Sequence, residues 1–374
     1  MIRAGIIMLL GLWASACAAS ADSYSSEHYE LRLVPVAEGL DTPWGLAFLP
    51  DGAMLVTERD GPIRVVGADG AIGEPLAGTP EVYDSGQGGM LDVAVDPNFA
   101  ETGLIYFSYS EPGGDGAGTA VARANLDRAG NRVEDLEVIF RQAPKSSGGR
   151  HFGSRLAFAP DGSLFITLGD RGQRDRVQDF SINRGQVIRL WPDGSIPEDN
   201  PFVGVEGRRP EVWSHGHRNP QGAAIHPETG ALWIHEHGAR GGDEINKPEA
   251  GLNYGWPVIS YGRHYSGDRI GAGTEKEGLE QPLYYWDPSI APSGMAFYNG
   301  DRYEAWQGDL FVGALKYRLL ARLELDGERV VKEERLLERF DERIRDVRQG
   351  PDGFLYIVTD SGDGGVYRLE VVGP

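Results

Sequence analysis

The chain has 374 residues, of which 40% are hydrophobic, so it is long enough to bury a large core. Its 53 glycines indicate many turns, and its 56 acidic against 36 basic residues give a formal net charge of −20. This charge argues against nucleic acid or an anionic membrane as a partner, because both bind extended basic surfaces.

Residues 1–21 have the features of an export signal, with an apolar stretch at 6–13 that is too short to cross a bilayer. Two processing sites compete. The segment that ends at Cys17 resembles a lipobox, which would make Cys17 a lipidated N-terminus, and ASA at 19–21 is an ordinary small-residue site. We therefore predict a single mature domain at 22–374 that is periplasmic or secreted, with lipid anchoring through Cys17 as the alternative.

A short hairpin sequence occurs six times along the chain. Each copy has an apolar strand, a turn rich in Pro, Asp or Gly, and a glycine followed by a second apolar strand, which is typical of a β-hairpin. The second strands begin 45 to 78 residues apart, which is the spacing of propeller blades. The glycine-led segments are GAMLVT (52–57), GLIYFS (103–108), GSLFIT (162–167), GALWIH (230–235), GDLFVG (308–313) and GFLYIV (353–358).

The repeat predicts an all-β fold, a six-bladed β-propeller of four-stranded antiparallel blades, and six aligned copies disfavour a β-sandwich. Third strands are visible at 63–66 and 366–372. Because the last blade runs out of chain, the alternating segment at 29–34 is predicted to supply its outer strand and close the ring. One short helix is expected at 332–339, and the uneven spacing predicts long insertions, mainly between 240 and 290.

Polar residues are concentrated just before two of the inner strands. The segment SHGHRNPQG at 214–222 places two histidines, an arginine, an asparagine and a glutamine in one turn. His151 lies in a glycine-flanked loop before the third repeat, whose second strand ends at Asp170. That carboxylate is therefore expected near His151.

Basic residues follow in the last two blades. Arg343 and Arg345 would share one face of a strand, where two like charges favour an anion between them. Lys316 follows another apolar strand. If these residues converge with Arg218, they define an anion pocket in an acidic protein, and a small polyanion is the natural ligand.

Five segments in order together resemble the soluble pyrroloquinoline quinone (PQQ)-dependent aldose sugar dehydrogenases of the glucose/sorbosone dehydrogenase family. The resemblance runs from about residue 35 to 370, and members of this family are six-bladed propellers. It implies oxidation of an aldose at C1 to the lactone, with PQQ and Ca²⁺ as cofactors and an external electron acceptor. The segments are GQGGMLDVAVDP (86–97), SHGHRNPQG (214–222), EHGARGGDEIN (236–246), GLNYGWPV (251–258) and RIRD (343–346).

The resemblance implies a role for each matching residue. His151 would be the general base that takes the C1 hydroxyl proton as hydride passes to the quinone C5, with Asp170 supporting it. Arg218 and Asn219 would contact the quinone oxygens, and Arg218 would stabilise the charge that grows on them. Gln87 would contact substrate or cofactor. Three basic residues would neutralise the cofactor's carboxylates: Lys316, Arg343 and Arg345.

Two calcium sites are implied as well. Backbone carbonyls of Gly238 and Ala239 would bind the active-site calcium, and the Glu244 carboxylate and the Tyr254 carbonyl would bind a second, structural calcium. Ala239 stands where family members often have proline. Because a backbone ligand tolerates that change, the site is expected to be retained.

Other positions depart from the family or leave alternatives open. Arg150 precedes the base where the glucose enzymes have a carboxylate, so the sugar specificity is expected to differ. His237 stands where some relatives have glutamine. The polar residue after Asp170 that contacts PQQ is either Asp175 or Gln178.

Two other functions fit the fold. The pairs His215/His217 and His235/His237 each place two rings on one face of a strand, which is ligand geometry for a metallohydrolase such as a calcium-dependent lactonase. Such an enzyme has no need of the basic cluster. A non-enzymatic binding propeller is the third reading. We expect a monomer without a transmembrane segment.

Overall fold

The structure, a computed structural model, describes residues 23–114 and 116–372. The predicted export signal with Cys17 lies outside the described residues. The described residues form six antiparallel sheets, five of four strands and one of five, and the prediction of a six-bladed β-propeller is confirmed.

The strands follow one another blade by blade. The N-terminal strands are β1 (Ser23–Ser25) and β2 (Glu30–Leu40). Blade one has β3 (Pro43–Phe48), β4 (Met54–Glu58), β5 (Ile63–Val66) and β6 (Ile72–Pro75). Blade two has β7 (Met90–Val95), β8 (Leu104–Gly113), β9 (Gly116–Asp127) and β10 (Arg132–Arg141), with the short helix α1 (Phe99–Thr102) between β7 and β8. Blade three has β11 (Gly153–Phe158), β12 (Leu164–Leu168), β13 (Gln186–Leu190) and β14 (Val212–His215).

The last three blades repeat the pattern. Blade four has β15 (Pro220–Ile225), β16 (Leu232–Glu236), β17 (Asp243–Asn246) and β18 (Tyr284–Trp286). Blade five has β19 (Pro292–Phe297), β20 (Leu310–Ala314), β21 (Leu319–Asp326) and β22 (Arg329–Leu336). Blade six has β23 (Ile344–Gln349), β24 (Leu355–Thr359) and β25 (Gly364–Val371), and 3-10 turns lie at Arg174–Arg176 and Glu304–Trp306. Within residues 23–114 and 116–372, no helix is long and apolar enough to cross a bilayer.

The N-terminal segment closes the ring as predicted. Strand β2 pairs antiparallel with β25, with Leu31 opposite Val371 and Leu33 opposite Leu369. The first residues of the domain are thereby held in the same sheet as its last. This pairing covers the edge that the final hairpin would otherwise expose. The long insertion predicted between 240 and 290 is also present: residues 247–283 connect β17 to β18.

The predicted helix at 332–339 is wrong. Residues 329–336 form β22, the outer strand of blade five, with Arg322 of β21 opposite Glu334. The local sequence is rich in Glu, Lys and Arg, which favour helices. Pairing with β21 prevails because an outer strand with a solvated face accepts charged residues, and sheet context outweighs intrinsic propensity.

Four charged side chains of the inner strands meet at the centre of the ring, where each inner strand packs against its two neighbours. Arg155 contacts Asp92 at 2.9 Å and Asp346 at 3.0 Å. Arg348 closes the circuit, at 2.9 Å from Asp92 and 3.0 Å from Asp346. Both carboxylates are fully buried. These four residues, termed here the axial network, join blades two, three and six.

The axial network also contacts the other three blades. Arg155 Nε donates to the Gln221 carbonyl of blade four at 2.7 Å, and Leu46 N of blade one donates to Asp346 Oδ2 at 3.0 Å. In blade five a Cβ on Gly294 would lie 2.1 Å from Asp346 Oδ1, so only glycine leaves room for the carboxylate. All six inner strands therefore pack around one set of paired charges.

Breaking the axial network by removing one partner is expected to be strongly destabilising. Replacing Arg155 with Met leaves Asp92 and Asp346 sharing one arginine, and breaking a buried ion pair costs about 3 to 5 kcal/mol. Urea unfolding of Arg155→Met should show that loss in the free energy of unfolding. The control Arg329→Met removes an ion pair with Asp326 in which both side chains are exposed, and should stay within about 0.5 kcal/mol of wild type. Equal effects of the two substitutions would contradict this account.

Candidate active site

The predicted site residues converge at one face of the ring. Some precede a first strand and others follow a second strand, and antiparallel hairpins bring those two positions to the same edge. There they surround a cavity of about 950 Å³. The predicted residues that line this cavity are Gln87, His151, Arg218, Asn219, Gly238, Ala239 and Lys316.

His151 and Asp170 form a tight pair at the cavity wall. His151 Nδ1 lies 2.6 Å from Asp170 Oδ1, and Asp170 also accepts bonds from Trp256 Nε1 at 2.9 Å and Gly172 N at 2.6 Å. The backbone N–H of His151 donates to Gln87 Oε1 at 2.7 Å. A carboxylate at Nδ1 fixes the ring tautomer and leaves the lone pair on Nε2.

Burial and the nearby Arg218 favour a neutral His151 imidazole beside an ionised Asp170 carboxylate. Burial lowers the pKa of His151 and the charge of Arg218 adds to this, while the hydrogen bond to Asp170 works in the opposite direction. For Asp170, burial alone would raise the pKa, but His151 and Arg218 bring it below its ordinary value. His151 is therefore suited to accept a proton near neutral pH.

Arg218 and Asn219 form the adjacent part of the wall. Arg218 is held by its backbone N–H to Glu236, by Nη1 to the His237 carbonyl at 2.9 Å, and by Trp256, whose ring centre is 5.3 Å away. Arg218 Nε is buried without a hydrogen-bond partner in the described part of the chain. A buried donor of this kind favours a ligand that offers an acceptor oxygen.

The three predicted carboxylate-binding residues are arranged differently from one another. Lys316 lines the cavity, with its ammonium 4.8 Å from the Tyr317 ring. Arg343 and Arg345 both pair with Asp360, at 2.7 and 3.1 Å. The anion expected between these two arginines is thus a carboxylate of the chain itself, and the three groups together carry one net positive charge.

Arg345 does not line the cavity but lies directly behind its wall. Its Nη1 contacts Gln221 Oε1 at 3.4 Å, and the same oxygen contacts His237 Nε2 at 3.1 Å. His237 lines the cavity. Arg343 is more exposed and reaches the Leu315 carbonyl at 3.3 Å, beside Lys316.

A small pocket lies beside the cavity and contains the residues predicted for the second calcium site. Glu244 and Tyr254 line it together with Glu236. Burial raises the pKa of Glu244 well above its ordinary value, and the negative charge of Glu236 raises it further. Asn246 Nδ2 donates to both carboxylates, at 3.0 and 3.3 Å, and its buried Oδ1 has no partner in the described structure.

This donor set fits a hard divalent cation, which binds carboxylate, amide and carbonyl oxygens. Within residues 23–114 and 116–372, no three or more His, Cys, Asp or Glu side chains are grouped to hold a metal ion. A cation beside Glu236 and Glu244 therefore needs amide or backbone oxygens as further ligands. Glu236 was missed from the sequence, although an acid at the end of the buried strand WIHE is an unusual residue there.

Comparison with known proteins assigns the family. Residues 40–368 match the model described as glucose/sorbosone dehydrogenase. The chain belongs to the glucose/sorbosone dehydrogenase family. It is 49% identical over 335 residues to the aldose sugar dehydrogenase YliI of Escherichia coli K12, covering 88% of this chain and 90% of that protein. It is 27% identical over 420 residues to quinoprotein glucose dehydrogenase B of Acinetobacter calcoaceticus, covering 90% and 86%.

Solved structures agree with this assignment. The apo-form of the soluble aldose sugar dehydrogenase from Escherichia coli is 47% identical, with a TM-score of 0.89 and coverage of 91% of this chain and 100% of that one. The PQQ-bound form of an aldose sugar dehydrogenase from Streptomyces coelicolor is 30% identical, with a TM-score of 0.76 and coverage of 91% and 98%. The protein is therefore an enzyme of the sugar dehydrogenase class.

The histidine pairs of this dehydrogenase serve packing and hydrogen bonding. His215 packs on Phe180 with ring centres 4.2 Å apart, and burial lowers its pKa to about 3. His217 Nδ1 bonds Glu236 at 2.9 Å. His235 Nε2 bonds the Ser293 carbonyl, and burial lowers the pKa of His235 to about 3. Neither pair presents two free ring nitrogens to one metal position, which removes the support for the metallohydrolase.

The alternative between Asp175 and Gln178 is also clarified. Asp175 has a side chain that is 87% exposed and lines a cleft next to the cavity, in which His151 is also present. Gln178 exchanges hydrogen bonds with Asn253 and donates to the Trp256 carbonyl at 2.8 Å. Gln178 is thus held by two protein partners, whereas Asp175 contacts the neighbouring Arg174 at 3.3 Å.

The acidic pocket predicts a distinctive dependence of stability on pH. Because the folded protein holds the Glu244 proton more tightly than the unfolded chain, stability is lost as pH rises above about 4.5. Urea unfolding can be measured from pH 4.5 to 8 in the presence of a metal chelator. The free energy of unfolding of Glu244→Gln should rise progressively relative to that of wild type as the pH increases. The control Glu228→Gln, in an exposed turn, should follow wild type at every pH. If the free energies of unfolding of wild type and Glu244→Gln changed in parallel with pH, the pKa of Glu244 would not be raised in the folded protein.

Proposed function

We propose that this enzyme is a PQQ- and calcium-dependent dehydrogenase that oxidises an aldose at C1 to the lactone and passes the electrons to an external acceptor. The observation that carries the proposal is the His151–Asp170 pair in a basic cavity. The lining includes four basic side chains and one acidic side chain, Asp287, in a chain of net charge −20. The quinoprotein and PQQ-bound relatives support the same cofactor.

The residues present fit a tricarboxylate cofactor. Lys316 would bind its carboxylates, the Arg343–Arg345 pair with Asp360 would add one net positive charge beside it, and the unpartnered Arg218 Nε would donate to its oxygens with Asn219 beside it. The Gly238 and Ala239 carbonyls would bind the active-site calcium, and Glu244 with the Tyr254 carbonyl the second. When bound, PQQ supplies the two-electron acceptor and calcium supplies the Lewis acid that polarises it.

His151 performs the proton transfer. Asp170 holds the Nδ1–H, so Nε2 accepts the proton of the C1 hydroxyl, and the carboxylate stabilises the imidazolium that forms. Gln87 fixes the backbone of His151 through its Oε1 and so orients the ring. Arg218 is held rigidly by three contacts, so its charge is preorganised toward the reacting centre.

We also propose that residues 1–21 direct export, and that 22–374 acts as a monomer in the periplasm or outside the cell. A lipid anchor at Cys17 is the alternative to ordinary cleavage after residue 21. Asp175 is the better of the two candidates for the further cofactor contact, because its side chain is 87% exposed and Gln178 is held by Asn253 and Trp256.

Reconstitution tests the proposed function. The purified protein should oxidise aldoses with an artificial dye only when PQQ and Ca²⁺ are both added. His151→Ala should still bind PQQ in a fluorescence titration but lose about 10²- to 10⁴-fold in turnover. The control His28→Ala replaces an exposed histidine and should match wild type. Oxidation without PQQ, or strong activity with zinc alone, would exclude this function.

The pH dependence tests the proton-transfer pair. The acidic limb of kcat/KM reports protonation of His151, and the charge of Asp170 raises the pKa of that ring. Asp170→Asn removes this charge, so the limb should move to lower pH. The plateau should fall by about 10²- to 10⁴-fold because the ring loses its fixed tautomer. A limb that stays in place or moves to higher pH would show that Asp170 does not act through His151.

A further inference from the structure

Three arginines lie opposite one another, and two of them are in the wall of the cavity. Arg240 and Arg263 form an antiparallel bridge with N–H···O bonds of 3.0 Å in both directions, and Arg263 forms a second antiparallel bridge with Arg269. Directly opposed residues on antiparallel strands project to the same side. The three guanidinium groups therefore share one face, termed here the arginine ladder. Arg240 and Arg263 line the same cavity as His151.

The arginine ladder carries uncompensated charge. Within residues 23–114 and 116–372, none of its three side chains forms an ion pair with a carboxylate, and Arg263 Nη1 makes only a long contact to the Gly267 carbonyl at 3.4 Å. Like charges placed directly opposite one another are destabilising. In a chain with 56 acidic residues, partners for these arginines are not scarce. All three arginines are exposed, so their charges are solvated and their guanidinium groups are available to an anion from outside the chain.

The proposed cofactor does not account for this charge. Its carboxylates and oxygens are assigned to Lys316, Arg218 and the pair of arginines at 343 and 345. The ladder belongs instead to the long β17–β18 insertion and the turn before β17. The neighbouring cleft around His151 is lined by four arginines and two aspartates, Asp170 and Asp175. Basic side chains therefore outnumber acidic ones in this cleft as well.

We propose that this enzyme prefers aldoses that carry an anionic group, a carboxylate or a phosphate, which Arg240 and Arg263 bind while C1 lies at His151. This inference rests on the proposed function. Guanidinium groups bind both anions through two parallel hydrogen bonds. In a hexuronic acid or a hexose 6-phosphate the anion is at carbon six, remote from C1, so one molecule offers its two ends to the arginine ladder and to the base.

Paired substrates test the preference. Reconstituted enzyme should be assayed at low ionic strength with glucuronate against glucose, galacturonate against galactose, and glucose 6-phosphate against glucose. At least one anionic aldose should exceed its neutral parent by about tenfold in kcat/KM, and added salt should reduce the ratio. The uronate pairs and the phosphate pair also distinguish the two anions. A preference confined to the uronates identifies a carboxylate, and a preference confined to glucose 6-phosphate identifies a phosphoryl group.

Substitutions connect the preference to the arginine ladder. Arg240→Gln and Arg263→Gln should each lower the ratio of anionic to neutral kcat/KM by about tenfold. Arg263→Lys, which keeps the charge but loses the fork, should retain part of it. The matched control Arg329→Gln removes one exposed arginine of blade five and should leave the ratio unchanged. Thermal melts by circular dichroism check that each variant is folded. If a Gln variant is not folded, the ratio of anionic to neutral kcat/KM in Arg263→Lys provides the test.

A binding measurement makes the outcome independent of turnover. Methyl β-glucuronide and methyl β-glucoside have a blocked C1, so calorimetry with the purified and the reconstituted protein measures binding alone. The glucuronide should bind more tightly, and only while the arginine ladder is intact. If glucose is oxidised but no anionic aldose exceeds its parent, or the ratio survives both Gln substitutions, the preference is overturned and the proposed function stands. If no aldose is oxidised but ladder-dependent binding is seen, the proposed function fails and the anion site remains.

Discussion

The rest of the structure depends on the axial network formed by Asp92, Arg155, Asp346 and Arg348. Buried charges are tolerated when each is paired and hydrogen-bonded; here the ion pairs join blades two, three and six, and hydrogen bonds to Leu46 and Gln221 add blades one and four. The axial network thereby favours the closed ring, and β2 completes the closure by pairing with β25. Closure brings His151 and Lys316, which are 165 residues apart in the chain, to the same cavity.

The distribution of charge then separates structural from functional groups. At Arg343 and Arg345 the chain supplies its own counter-ion in Asp360, and at His151 it supplies Asp170. Lys316 and the arginine ladder have no such partner among the residues described. Because the protein as a whole is strongly acidic, the cations without carboxylate partners at one face are where we propose that anionic ligands bind. The paired carboxylates Glu236 and Glu244 show the opposite case, an acidic pocket that favours a cation.

Much of the fold could be predicted from the sequence because each blade repeats the same local hairpin signal, and even the closing strand alternates visibly. The helix at 332–339 was wrong because its charged residues have helical propensity, whereas its pairing with β21 is a tertiary contact that no local pattern reports. Within the site, Arg218 was found inside a recognisable segment, and His151 with Asp170 was found because a glycine-flanked loop precedes a strand pair that ends at this carboxylate. Asp360 and Glu236 were not found, because no motif marks Asp360 and the resemblance implies no role for Glu236; their contacts with Arg345 and His217 became visible only in the structure. The arginine ladder depends on the path of a long loop, which the sequence does not specify.

The central claim is that ring closure assembles one cofactor and sugar site at this face of the propeller. A crystal structure of the protein loaded with PQQ and Ca²⁺ tests it most directly. The account predicts the cofactor in the cavity, in contact with Lys316 and Arg218, with a cation on the carbonyl of Gly238 and with His151 Nε2 directed at the space left for the sugar. A cofactor bound at another face of the ring, or a loaded cavity in which His151 points away from it, would contradict the account.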